Sequence, residues 1–307
     1  MESEGALLEV ELCVDYPNKP QALRKVSFDV RRGEVLGLVG ESGSGKSTIA
    51  LALLRLLDYK NGKATGRIVF RDRDLMKASE REMRRLRGRD MGLVMQSPLA
   101  SLNPALSIGR QLEEAWRAHG RGAANERSEG MGRALARVGL PADDEFRHRY
   151  PAQISVGQAQ RVLIAMAVMH SPALLIADEP TSALDALTQV EILDMVAALN
   201  RDMGTSVLYI SHDLQSVASI CDRIAILREG EIVESDSTEA ILLRPQHPYT
   251  QRLLSCAPWL RWWQAQLGRK RPLSRQCQAR EGMADVRTAP VDCLSRLKSR
   301  CQPPIGY

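Results

Sequence analysis

The strongest constraint on this chain is the stretch Gly40-Glu41-Ser42-Gly43-Ser44-Gly45-Lys46-Ser47. It fits the pattern G-x-x-x-x-G-K-[ST], and its surroundings are the ones that pattern requires. Before it, Val35-Leu36-Gly37-Leu38-Val39 is a short apolar run entering glycines, which reads as a buried strand ending in a loop. After it, Ser47 to Leu57 has helical spacing and strong helix formers. The glycines let the backbone turn tightly, so that its amides can surround phosphate oxygens. A helix starting near Lys46 adds unpaired N–H groups and the positive end of its dipole. Gly40 through Thr48 are therefore the candidate nucleotide-binding residues. Lys46 is expected to reach the β- and γ-phosphates of ATP, and Ser47 to ligate Mg²⁺.

A second constraint is Leu174-Leu175-Ile176-Ala177-Asp178-Glu179, an apolar strand that ends in two consecutive carboxylates. With a phosphate-binding loop in the same chain, Asp178 is a candidate Mg²⁺ ligand acting through water. Glu179, one residue on, is placed to polarise an attacking water. The alternative, two acids that merely cap the next loop, gives them no common task.

The rest of the chain reads as alternating elements. Residues 1–38 are strand-rich, and 66–70 and 91–95 are further strand candidates. The basic run at 79–89 reads as a solvated helix face. From 105 to 170 the pattern is helical, with a loop expected over 120–130. The apolar runs 173–177 and 206–210, with a helix at 186–203 between them, imply a parallel βαβ unit. Ile224 to Val233 reads as a hairpin. With 307 residues, one large domain or two lobes fit, and 44% hydrophobic content is ordinary for a buried core.

Composition excludes some classes. The longest apolar runs, such as Val162 to Met169, fall well short of the roughly 18 residues of a membrane span. The N-terminus lacks the basic-then-apolar order of a secretion signal. The expectation is a cytosolic protein. None of the six cysteines has CxxC spacing, so a zinc site is not expected and the thiols read as reduced. The net charge of +5 is uneven: Pro258 onward carries 10 Lys/Arg against 3 Asp/Glu. That basic tail reads as a solvated end, with anionic lipid or nucleic acid as the alternative; no nucleic-acid partner is expected.

Further segments narrow the class. Gln96-Ser97-Pro98 follows the strand at 91–95, and Ile154-Ser155-Val156-Gly157-Gln158, then Gln160-Arg161, open a helix. Asp178-Glu179-Pro180-Thr181-Ser182-Ala183-Leu184-Asp185 is one continuous acidic segment, and Ser211-His212-Asp213 follows a strand. Tyr16 lies 30 residues before Lys46. In this order, over roughly residues 7–258, the motifs resemble those of the ATP-binding-cassette family. The resemblance implies an α/β fold: a P-loop NTPase (RecA-like) core, a strand-rich N-terminal subdomain and an inserted α-helical subdomain at about 97–160. Residues 1–258 would form the ATPase domain and 259–307 a divergent basic tail.

The resemblance also implies roles. Tyr16 would stack on adenine. Gln96 would sense the γ-phosphate and Mg²⁺, and His212 would contact the γ-phosphate. Asp185 would act across a dimer interface, and Ser155, Gly157 and Gln158 would serve the nucleotide bound by the opposite subunit. One position departs from the family pattern: Val156 stands where a glycine is usual. A β-branched residue is poorly suited to positive φ, which predicts a weakened signature unless Val156 keeps a negative φ. Ser101-Leu102-Asn103-Pro104, Ile164-Ala165-Met166-Ala167 and His247-Pro248-Tyr249-Thr250 are similar to ATPases of peptide and nickel importers. The F-x-P-R-C stretch of those relatives is not found, so no role passes to Cys277, Cys293 or Cys301.

The implied function is ATP hydrolysis that energises import of a peptide or related solute. The implied partners are membrane permease subunits, a second ATPase subunit, like or unlike, and indirectly an extracytoplasmic solute-binding protein. The implied place is the cytoplasmic face of the membrane, with docking near Ser97–Trp116. Two alternatives are an ATPase subunit of a soluble assembly, such as a phosphonate-degrading complex, and a non-hydrolysing structural subunit.

Overall fold

The computed structural model describes residues 5–120 and 122–257. The basic tail with Cys277, Cys293 and Cys301 lies outside the described residues.

Alternating side chains build the first sheet. In β1 (Ala6–Tyr16), Leu8, Val10, Leu12 and Val14 are buried while Glu9, Glu11 and Asp15 face out. β1 pairs antiparallel with β2 (Lys19–Arg31) on one side. On its other side it pairs with β4 (Lys63–Phe70), beyond which lies the short β5 (Arg73–Asp74). The order of this sheet is β2-β1-β4-β5.

The second sheet has the opposite character. β3 (Val35–Val39) is buried at every position, as are all but the last residue of β7 (Leu174–Asp178) and all of β8 (Ser206–Ser211). Continuous apolar strands suit a parallel sheet covered on both faces. The sheet runs β10-β9-β3-β8-β7-β6, with β6 at Met91–Val94, β9 at Arg223–Arg228 and β10 at Glu231–Ser237. All neighbours are parallel except the β9–β10 hairpin. Buried residues of both sheets share one core, among them Leu12 and Phe28 with Leu38, Ile49, Ile176 and Leu208.

Helices fill the connections. After β3 comes α1 (Lys46–Leu53), shorter than the expected Ser47–Leu57, because Leu57–Lys60 tightens into a 3₁₀ turn. α2 (Glu80–Leu86) is opened by a Ser79/Glu82 capping box. Between β6 and β7 lie α3 (Pro98–Ser101), α4 (Ile108–His119), α5 (Ala124–Arg137), α6 (Asp144–His148) and α7 (Val156–Val168). α8 (Ala186–Met203) joins β7 to β8, and α9 (Leu214–Ile220) joins β8 to β9. α10 (Thr238–Leu243) and α11 (Pro248–Ser255) follow β10.

The loop expected over 120–130 is corrected here: from Ala124 onward those residues are helical. Gly130 lies inside α5, where the Trp116 ring of α4 occupies the space a Cβ would need.

Candidate functional site

Four parallel strands end at one edge of the second sheet, and each delivers a candidate residue just beyond its last position. β3 leads into the glycine loop, β6 into Gln96, β7 into Asp178-Glu179, and β8 into Ser211-His212. Open α/β sheets bind ligands at this edge. A cavity of about 660 Å³ lies here, lined by the glycine loop from Gly40 to Thr48 (Ser44 excepted), with Tyr16, Gln96, Glu179 and His212.

The loop is shaped by its glycines. Gly45 caps α1 with φ 112°, in the left-handed region, and a Cβ there would lie 2.5 Å from Leu23 Cδ2. Lys46 is only 5% exposed. Its ammonium donates to the Gly40 carbonyl at 2.7 Å and the Glu41 carbonyl at 3.0 Å, and lies 3.8 Å from Glu179 Oε1. Burial lowers its pKa, against the opposing charges of Glu179 and Asp178. The cation is thus fixed beside the loop amides.

Glu179 is the centre of the site. Oε2 accepts from Gln96 Nε2 at 2.9 Å, and Oε1 lies 3.2 Å from His212 Nδ1. Its backbone has φ 48°, a conformation that costs a non-glycine residue about 1–3 kcal/mol and that clusters at functional positions. The fold holds it there: Glu179 N–H donates to the Ile210 carbonyl at 2.9 Å. Two residues on, Thr181 Oγ1 is 3.2 Å from the hydroxyl of the buried Tyr209. Burial pushes that phenol's pKa up to about 12, so Tyr209 stays a neutral anchor.

Asp178 sits below. Its Oδ1 is buried without a hydrogen-bond partner. Burial raises its pKa, and a hydrogen bond with Ser47 opposes that rise. Asp178 is not among the cavity's lining residues, whereas Ser47 and Gln96 are; an orphaned carboxylate oxygen beside the Ser47 hydroxyl is a hard-oxygen donor set that fits Mg²⁺.

Tyr16, at the end of β1, reaches Thr48 Oγ1 with its hydroxyl at 3.4 Å, and its ring lies against Gly62. Sequence reasoning missed three further wall residues: Lys19, Ala22 and Leu253. Lys19 donates to the Gly43 carbonyl at 2.8 Å, and Leu253 of α11 closes the cavity's rim.

Ser155, Gly157, Gln158 and Asp185 do not line this cavity. Ser155 caps α7: Gln158 N–H donates to its Oγ at 3.1 Å, while Ser155 N–H donates to Gln158 Oε1 at 3.0 Å. Val156 is the first helical residue and is not among those with positive φ, so the conflict expected from a β-branched side chain does not arise. At Gly157 a Cβ would lie 2.7 Å from Thr188 Cγ2. Asp185 caps α8, accepting from Leu187 N–H, Thr188 N–H and Thr188 Oγ1. The beginnings of α7 and α8 are therefore fastened side by side, with Arg161 and Glu191 paired at 2.9 Å.

Residues 23–182 match the sequence profile of the ABC transporter family. A probable peptide ABC transporter ATP-binding protein, y4tR of Sinorhizobium fredii, is 45% identical over 242 residues, 78% of this chain and 71% of that protein. The glutathione import ATP-binding protein GsiA of Escherichia coli K12 is 43% identical over 248 residues, 79% of this chain and 40% of that protein. The chain thus spans about two fifths of the length of the glutathione-import relatives. Among solved structures, the dimeric post-hydrolysis state of the ATP-binding cassette MJ0796, bound to ADP and Pi, aligns with a TM-score of 0.64 and 26% identity. That alignment covers 75% of this chain and 98% of the other. cbiO1 from Clostridium perfringens, part of the ABC transporter complex cbiONQ, shares the fold with a TM-score of 0.69 at 24% identity, over 85% and 100% of the two chains.

Proposed function

The chain belongs to the ABC transporter family, and on that premise we propose that it is the ATP-binding and ATP-hydrolysing subunit of an importer. The carrying observation is the convergence of Lys46, Gln96 and His212 on Glu179 at the end of a phosphate-binding loop.

In this reading the loop amides and Lys46 hold the triphosphate, and Tyr16 stacks on the adenine. Glu179 takes the proton of the attacking water. Gln96 and His212 hold its carboxylate in place, and His212 turns to the γ-phosphate once nucleotide is bound. Mg²⁺ would be held by Ser47, Gln96 and Asp178, and would neutralise charge on the β- and γ-phosphate oxygens. The contacts of Glu179 weigh against a non-hydrolysing subunit, because a purely structural site has no need to orient a base.

A single chain offers the γ-phosphate few donors on its open side. Ser155, Gly157, Gln158 and Asp185 lie outside the chain's own cavity, and we assign them to the nucleotide of a second ATPase subunit, like or unlike. ATP would then tighten the pair and hydrolysis would loosen it. The permease is proposed to dock near residues 97–116, beside Gln96, where Met95 and Leu99 are 50% and 45% exposed. No helix among the described residues is long and apolar enough to cross a membrane. The likeness to import ATP-binding proteins supports assigning the chain to the cytoplasmic face as a peripheral subunit. An extracytoplasmic binding protein would select the cargo. The names of the relatives support a peptide, glutathione-like or related solute; nickel stays an alternative on the motif resemblance alone.

The test is co-expression with candidate permease subunits of a peptide importer. The expected outcome is a co-purifying membrane complex whose ATP hydrolysis rises with loaded binding protein. A chain that hydrolyses ATP but stays in the soluble fraction with non-membrane partners overturns the transport reading and favours a soluble assembly.

A further inference from the structure

The His247-Pro248-Tyr249-Thr250 segment has no task in the site described above. It opens α11, and its placement is tightly determined. His247 Nδ1 accepts Tyr249 N–H at 3.1 Å, and Pro248 occupies the first turn. Glu234 of β10 accepts Gln246 N–H at 2.7 Å and His247 N–H at 3.1 Å. At the turn of the β9–β10 hairpin, Gly230 N–H donates to the Ser44 carbonyl of the phosphate loop at 3.0 Å. α11 and the phosphate loop are thus both tied to one hairpin.

Tyr249 bridges the remaining gap. It is 6% exposed, and the Arg228 guanidinium lies 4.9 Å from its ring centroid. Its phenol oxygen is sealed from solvent without a hydrogen bond of normal geometry. It faces Glu41: burial first, then the Glu41 charge, raises the phenol's pKa. A buried hydroxyl whose acceptor is close but poorly aligned is a costly state that proteins rarely keep without a purpose. Glu41, Ser42 and Gly43 line the nucleotide cavity on one side. With Tyr249 they also line a second cavity of about 510 Å³. The phosphate loop is therefore a thin wall, and Tyr249 stands behind it.

We propose that Tyr249 is a positioning residue for the phosphate loop: when nucleotide fills the loop, its hydroxyl donates to the Glu41 carboxylate and holds the loop closed. Through this contact the α11 segment sets nucleotide affinity while taking no part in the chemical step. The proposal rests on the reading of Gly40–Thr48 as the ATP site.

The experiment measures MgATP binding and steady-state hydrolysis for the full chain, in its subunit complex, with Tyr249→Phe, Glu41→Ala, the double variant and Lys46→Ala. Tyr249→Phe keeps the ring and its stacking on Arg228, so the melting temperature should stay within a few degrees of the unaltered protein. The expected result is a rise of about 3- to 10-fold in Kd and KM for ATP with kcat within about twofold. The double variant should bind no more weakly than Glu41→Ala alone. Unchanged ATP affinity in Tyr249→Phe, or fully additive losses in the double variant, overturns the proposal and leaves Tyr249 as a packing residue. Lys46→Ala separates the two levels: if it binds ATP normally, the loop reading itself falls, whatever Tyr249 does.

Discussion

The glycine loop and the Ser155–Gln158 turn both end in an exposed helix N-terminus, yet the chain treats them differently. Around the loop, residues from four strands converge, and Lys46, Gln96 and His212 each contact Glu179. Around the turn, the polar groups are turned inward on their own helices: Ser155 and Gln158 cap α7, and Asp185 caps α8. The first region is a finished cavity. The second is a rigid, solvent-facing edge, with Val156, Leu187 and Val190 at 36%, 67% and 52% exposure. Convergence within one chain suits the half proposed to bind and cleave ATP. Local capping without a cavity suits a half that presents preformed donors to something outside the chain.

The largest effect expected from breaking this division lies on the convergent side. Lys46→Ala removes the buried cation beside the loop. Electrostatic stabilisers of this kind contribute on the order of 10²–10³ in rate, and ATP binding should weaken as well. Phosphate release by the purified variant at the unaltered rate overturns the loop assignment. Of at least comparable size is Glu179→Gln, which keeps the contact with Gln96 but cannot take a proton. Turnover should fall about 10²- to 10⁴-fold while ATP binding persists, and a closed two-subunit form should accumulate in size-exclusion chromatography with ATP. Wild-type turnover would transfer the base role to another group.

The two regions were also unequally legible in the sequence. The glycine loop and the Asp178-Glu179 pair are each a local pattern on one strand–loop unit, so spacing alone exposes them. Gln96 and His212 gain meaning only from the order of motifs, because their contacts with Glu179 cross strands far apart in the chain. Lys19 and Leu253 carried no signal beyond Lys19's closeness to Tyr16. They meet the cavity through the β1–β2 hairpin and α11, which only the tertiary fold brings together. The positive φ of Glu179 is likewise invisible in sequence, since a glutamate gives no hint of it. The loop expected over 120–130 is helical from Ala124 onward, and the indole that Gly130 makes room for is equally invisible in sequence.

The smallest effect, and the sharpest test of the comparison, concerns the exposed side. Val156 replaces a glycine usual in the family, and a need for positive φ there would have weakened the turn. Instead Val156 begins α7 with helical backbone, and the tight approach falls on Gly157, against Thr188. The groups that could reach a partner's nucleotide are the Ser155 hydroxyl and the first amides of α7, and the valine side chain alters none of them. Val156→Gly should therefore leave turnover at the partner's site within about twofold, and cost a few tenths of a kcal/mol in stability, the propensity difference between valine and glycine. Ser155→Ala is the contrast. It removes a cap worth about 1 kcal/mol together with a candidate phosphate donor, whose loss corresponds to about 5- to 150-fold in rate at the partner's site. Site-resolved hydrolysis in the reconstituted pair, with thermal melts beside it, reads both. A gain of more than about fivefold from Val156→Gly would mean that the turn changes shape when the subunits meet, and that the valine holds back one of two unequal sites.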